Sequence, residues 1–120
     1  GGNSINTAKI IMQKENIIKY YHEVCKFEKI QPIQIIFCNV GKGGACVRYD
    51  VRTKKPLEIR IDLKRCHDIE WAILHEPAHQ VLLLKYGDPA QKHNLRFRKL
   101  QDIFIDKYMY SVLTWKYLAK

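Results

Sequence analysis

With 120 residues, 47% of them apolar and 28% charged, the chain has the make-up of one globular domain with room for a single core. No apolar run approaches the roughly 18 residues that a membrane-spanning helix requires. A formal charge of +9 favours polyanions through counterion release, so DNA enters as a candidate partner on charge alone, against a plain solubility role.

The opening Gly1-Gly2-Asn3-Ser4 lacks Met and reads as an expression scar or disordered start, which places the domain at residues 5–120. No basic stretch followed by an apolar one marks a secretion signal. The four cysteines, Cys25, Cys38, Cys46 and Cys66, form no C-x-x-C pair. They read as reduced thiols in a cytoplasmic protein rather than a disulfide framework.

A first helix is predicted from Ser4 to Phe27, capped by Ser4 or Asn6. Ile10, Ile11, Ile17, Ile18, Tyr21, Val24 and Cys25 line its apolar face. After Pro32, Ile33 to Phe37 is a strand, and Gly41-Lys42-Gly43-Gly44 reads as a hairpin connection, because it lacks the Lys-Ser/Thr ending of a phosphate loop. Ala45 to Val51 is a second strand, followed by a charged turn closing at Pro56. Leu57 to Leu63 shows the cleanest alternation, with Leu57, Ile59, Ile61 and Leu63 on one face.

The next helix begins near His67 or Asp68, with Asp68 as cap and Glu70 in the first turn. It ends at Tyr86, where Gly87 suits a left-handed C-cap and Asp88-Pro89 stops the helix. A final helix runs from about His93 towards the C-terminus, with Phe97, Leu100, Phe104 and Tyr108 on one stripe and Ile103 beside it. The fold class is α+β: an N-terminal helix, a three-stranded sheet, a motif helix and a final C-terminal helix.

The motif is His75-Glu76-Pro77-Ala78-His79, set between Trp71-Ala72-Ile73-Leu74 and Val81-Leu82-Leu83-Leu84. Four helical residues advance about 400° and about 6 Å, so His75 and His79 point the same way from adjacent turns. Two such imidazoles can hold one Zn²⁺ at roughly 2.0–2.1 Å per nitrogen. Glu76 would then stand beside the activated water and take its proton. The competing reading is two histidines that merely face one groove. Pro77 removes a helical hydrogen bond to the carbonyl of Ile73 and favours a kink between the two ligands.

A catalytic zinc takes a third protein ligand and keeps a position for water. The extended His-Glu-x-x-His-x-x-Gly-x-x-His pattern is excluded by Leu82 and Lys85, and no glutamate follows Glu76. His93 is the only histidine after His79, and the residues from Gly87 to His93 can bring it back along the helix. Asp102 and Asp106 are rivals for this role, against solvated helix charge. Asp88 is a candidate to orient an imidazole, against a turn cap.

These residues resemble the SprT-like zinc metallopeptidase domain. His75-Glu76-Pro77-Ala78-His79 matches one block of that family, and His93-Asn94-Leu95-Arg96-Phe97, a His followed four residues later by Phe, is similar to its second. Minigluzincins are a more distant likeness, since they use a glutamate as third ligand. The resemblance covers most of residues 5–108 and implies a compact zincin-like domain with His75, His79 and His93 on zinc. It implies Glu76 as general base and acid, and protein substrates that are often bound to DNA. Asn94 stands where the family usually has Gly, a change in the local turn.

A zinc metalloendopeptidase is the leading expectation, with Leu57–Leu63 as a candidate cleft edge for an extended peptide and Tyr86, Tyr108 or Tyr110 as candidate oxyanion donors. His22 and His67 receive no role. The alternative is a basic DNA-binding module with an inactive site or a structural zinc, for which Cys46 or Cys66 could supply a fourth ligand. The aromatic tail Lys107–Tyr117 reads as the closing helix of the core, or as a plug that keeps the enzyme latent as a zymogen.

Overall fold

The segment with the strictest alternation becomes the centre of the sheet. In the computed structural model, which describes the backbone of residues 2–118 and the side chains of residues 6–118, the chain opens with α1 (Gly2–Glu28), followed by β1 (Gln34–Phe37), β2 (Ala45–Tyr49) and β3 (Pro56–Ile61). Then come α2 (Ile69–Tyr86), α3 (Leu95–Phe104), a π-helical turn (Ile105–Met109) and α4 (Val112–Tyr117). The fold is α+β, as expected.

The strand order is β1-β3-β2. Parallel to β1, β3 sets Glu58 opposite Gln34 and Ile61 opposite Phe37; antiparallel to β2, it sets Ile59 opposite Val47. Two expectations fail here. Gly41–Gly44 closes no hairpin, because β3 lies between the strands it joins. Nor is Leu57–Leu63 a cleft edge, since β3 is hydrogen-bonded on both sides and the outer strands are β1 and β2. The reason is burial: Ile59 and Ile61 are fully covered, and a strand flanked on both sides is the best place for such side chains. β2 also stops at Tyr49, short of Val51, because the Asp50 carboxylate accepts the N–H groups of Arg52 and Thr53 and turns the chain.

The first helix starts at Gly2, so Asn6 lies inside it rather than capping it. Its apolar face is used from Ile17 onwards: Ile17, Tyr20, Tyr21, Val24 and Cys25 are buried, whereas Ile10 and Ile11 are about half exposed, at 47% and 52%. The long helix reaches past the elements that cover it. A polar network anchors its buried half. The Tyr21 hydroxyl donates to Gln80 Oε1 (2.6 Å) and accepts the N–H of Ile33 (3.0 Å), while Gln80 Nε2 donates to the carbonyl of Gln31. Every polar atom of the buried Gln80 side chain is thereby satisfied on one side of the sheet entrance.

The single final helix expected from His93 is three segments. Ser111 Oγ and Thr114 Oγ1 both donate to the carbonyl of Tyr108, which draws that carbonyl out of a continuous helical ladder. The chain turns there, and α4 packs against α1, where Tyr20 and Thr114 hydroxyls meet at 3.1 Å. Phe97, Phe104 and Tyr108 are buried as the stripe predicted, while Ile103 is exposed.

Candidate metal centre

Local signals set α2 in place. Asp68 is its N-cap, accepting the N–H of Trp71 at 2.9 Å, and Gly87 (φ 68°) closes it with its N–H on the carbonyl of Leu83. The helix is continuous from Ile69 to Tyr86 through the buried Pro77. His75 and His79 therefore leave adjacent turns on one side, with Nε2 atoms 3.1 Å apart. His93 arrives from the turn between α2 and α3. Next to it, Asn94 caps α3 by accepting the N–H of Phe97 at 2.9 Å, so the residue that departs from the resembled family has a defined task.

The Nε2 of His93 lies 3.2 Å from that of His75 and 3.2 Å from that of His79. Three nitrogens thus form a nearly equilateral triangle. Three ligands of a tetrahedral ion with bonds of about 2.0–2.1 Å stand roughly 3.3–3.4 Å apart, so a slight opening of the triangle accepts a metal ion. Among the described residues, this cluster has three members, and neither Cys46 nor Cys66 joins it. No described residue supplies the fourth position that a closed structural site demands.

Helix α3 holds the imidazoles in place. The ring of Phe97 contacts all three: stacked on His79 at 4.0 Å and 14°, edge-on to His75 at 4.8 Å and tilted to His93 at 4.9 Å. One turn further along, Gln101 Oε1 accepts the Nδ1–H of His75 at 2.7 Å. On the opposite side, Trp71 stacks on His75 at 4.3 Å and 28° and remains 40% exposed. Neither Gln101 nor Trp71 was singled out from the sequence. Trp71 stands four residues before His75 on the same helix, so helical spacing could have found it; Gln101 meets His75 only across the contact of α3 with α2.

Burial sets the protonation states. It pushes His79 down to about 3, helped by the charges that His75 and His93 would carry, and it also lowers His75, against the hydrogen bond to Gln101. Neutral imidazoles are the form that binds metal. Burial alone raises Glu76 to about 8, and its side chain faces the same cleft of about 540 Å³ as the three histidines. The thiols of Cys46 and Cys66 line that cleft and are raised mainly by burial, which keeps them protonated and poorly nucleophilic. Ala45 and Cys46 bring the outer strand β2 to the cleft, and His67 also borders it.

The other candidates are elsewhere. Asp102 and Asp106 are exposed and outside the cluster. Asp88 accepts from Asn94 Nδ2 (3.3 Å) and Arg96 (3.2 Å) rather than orienting an imidazole. Tyr86 lies under the Arg96 guanidinium, Tyr108 donates to Glu28, and Tyr110 is 83% exposed, so none lines the cleft as an oxyanion donor would. Helix α4 packs on α1, and none of the described tail residues borders the cleft.

No known protein family, curated protein or solved structure matches this chain. Among the described residues, no helix is long and apolar enough to cross a membrane.

Proposed function

We propose that this protein is a zinc-dependent endopeptidase of the SprT-like kind. The observation that carries the reading is the convergence of three imidazole nitrogens in one open cleft that Glu76 also lines. Imidazole ligands suit Zn²⁺, and a three-histidine set leaves a position for water, the arrangement of catalytic rather than structural sites. His75, His79 and His93 would hold the ion, which supplies Lewis acidity towards a carbonyl and towards water.

The remaining work falls to the chain's own side chains. Glu76 removes a proton from the attacking water as its oxygen bonds to the scissile carbon. The same carboxyl then delivers that proton to the amide nitrogen as the C–N bond breaks. Burial raises the Glu76 carboxyl in the metal-free site, and a cation held by the three histidines would lower it again towards the ionised form that the first transfer needs. The outer strand β2, at the cleft through Ala45 and Cys46, offers main-chain groups to an extended polypeptide, and Trp71 and Ala72 give the apolar wall for one of its side chains.

The test is metal analysis combined with digestion of casein, with and without DNA. One zinc per chain and proteolysis that a chelator stops and zinc restores are expected. Zinc-loaded protein that cleaves neither casein nor DNA-bound histone defeats the peptidase reading. Salt-dependent retention on DNA without cleavage would favour the basic binding module instead.

A further inference from the structure

We propose that Gln101 is a positioning residue that holds His75 in its ligating tautomer. The inference rests on the metal-centre reading above but not on peptidase activity. A neutral imidazole carries one proton on either ring nitrogen, and the partner of one nitrogen decides the state of the other. An amide oxygen can only accept a hydrogen bond. At 2.7 Å from His75 Nδ1, Gln101 Oε1 therefore requires the proton there and leaves the Nε2 lone pair free.

The consequence is geometric. His75 Nε2 is 3.1 Å from His79 Nε2 and 3.2 Å from His93 Nε2. A proton on it would occupy the space between the three rings and close the site to a cation. An unrestrained imidazole carries its proton mainly on Nε2, so Gln101 reverses an intrinsic preference. Its position explains why it can: it lies four residues after Phe97 on α3, and Phe97 already braces the His75 ring edge-on at 4.8 Å. Ring plane and tautomer are thus both set by one face of one helix. The amide does this without adding a charge behind the ligand.

Two measurements test this. Zinc affinity by chelator competition should fall about 10–100-fold in Gln101→Met, the range usual for partners behind metal ligands, and should recover in Gln101→Glu, which keeps an acceptor. Nitrogen-15 NMR of the metal-free protein should show His75 with its proton on Nδ1 in the wild type and in Gln101→Glu, and mainly on Nε2 in Gln101→Met. If Gln101→Met does not fold, Gln101→Leu takes its place. Unchanged zinc affinity together with an unchanged His75 tautomer in the acceptor-free variant overturns the proposal. Failure of the wild type to bind zinc overturns the metal centre itself, whereas zinc binding without proteolysis removes only the peptidase reading.

Discussion

Phe97 lies flat against His79, ring centroids 4.0 Å apart and planes 14° from parallel, at the point where α3 meets the motif helix. Both side chains are almost wholly buried. An aromatic ring in this place excludes water from one side of the ligand set and fixes the imidazole plane. It also belongs to the core, so the support of the histidine cluster and the hydrophobic core share a residue.

Truncating that ring should therefore be felt twice. Phe97→Ala is expected to cost about 3–5 kcal/mol of stability, the usual figure for a buried phenylalanine. It should also weaken zinc binding, because three imidazoles lose their common support. Phe97→Leu should recover most of the stability but less of the affinity. Urea unfolding of the metal-free protein and chelator competition separate the two effects.

Glu76→Gln should leave zinc bound and lower the rate of peptide hydrolysis by about 10²–10⁴-fold, the range for losing a positioned proton carrier. Cleavage at the wild-type rate by the purified variant would remove Glu76 from the mechanism.

In the metal-free protein the same residues should give opposite pH responses. Buried His79, lowered from 6.5 to about 3, contributes stability that is complete above 6.5 and is lost as the pH falls towards 3; His75 acts in the same direction. Glu76, raised from 4.5 to about 8, contributes stability that is complete below 4.5 and is lost as the pH rises through 8. Glu76→Gln should accordingly stabilise the chelated protein at pH 8 and have little effect at pH 4. Thermal unfolding across that range, with chelator present, checks both signs.

The loop that borders the cleft gives a backbone prediction. Gly44 has φ +77°, and a Cβ there would stand 3.0 Å from the backbone nitrogen of Cys66, with its carbonyl accepting the N–H of Asp62 at 2.8 Å. Gly44→Ala should cost at least about 1–2 kcal/mol, since strain and a backbone clash add. Gly41→Ala, with open space around it, should stay within about 0.5 kcal/mol of wild type. Equal melting temperatures for the two variants would refute this account of the loop.

The clearest readings from sequence were those with local causes. Asp68 and Gly87 bound α2 as cap residues do, and the His75–His79 pair follows from helical spacing on an unbroken helix. Where two local signals competed, the sequence was ambiguous. The stripe Phe97–Leu100–Phe104–Tyr108 continues smoothly into the tail, yet Ser111 and Thr114 both capture the Tyr108 carbonyl and end the helix there. The apolar spacing of α1 likewise predicted a full-length buried face, but only the part from Ile17 onwards finds neighbours.

By itself, then, the order of residues determined the α+β class, the extent of the motif helix and a short set of candidate ligands, because caps, turns and i to i+4 neighbours act within a few residues of chain. Tertiary packing decided the rest: that His93 rather than Asp102 or Asp106 closes the triangle, that β3 lies inside and β2 outside, and that the tail docks on α1. Those outcomes depend on which buried surfaces meet across dozens of residues, as Gln101 meets His75, and no local pattern encodes such a meeting.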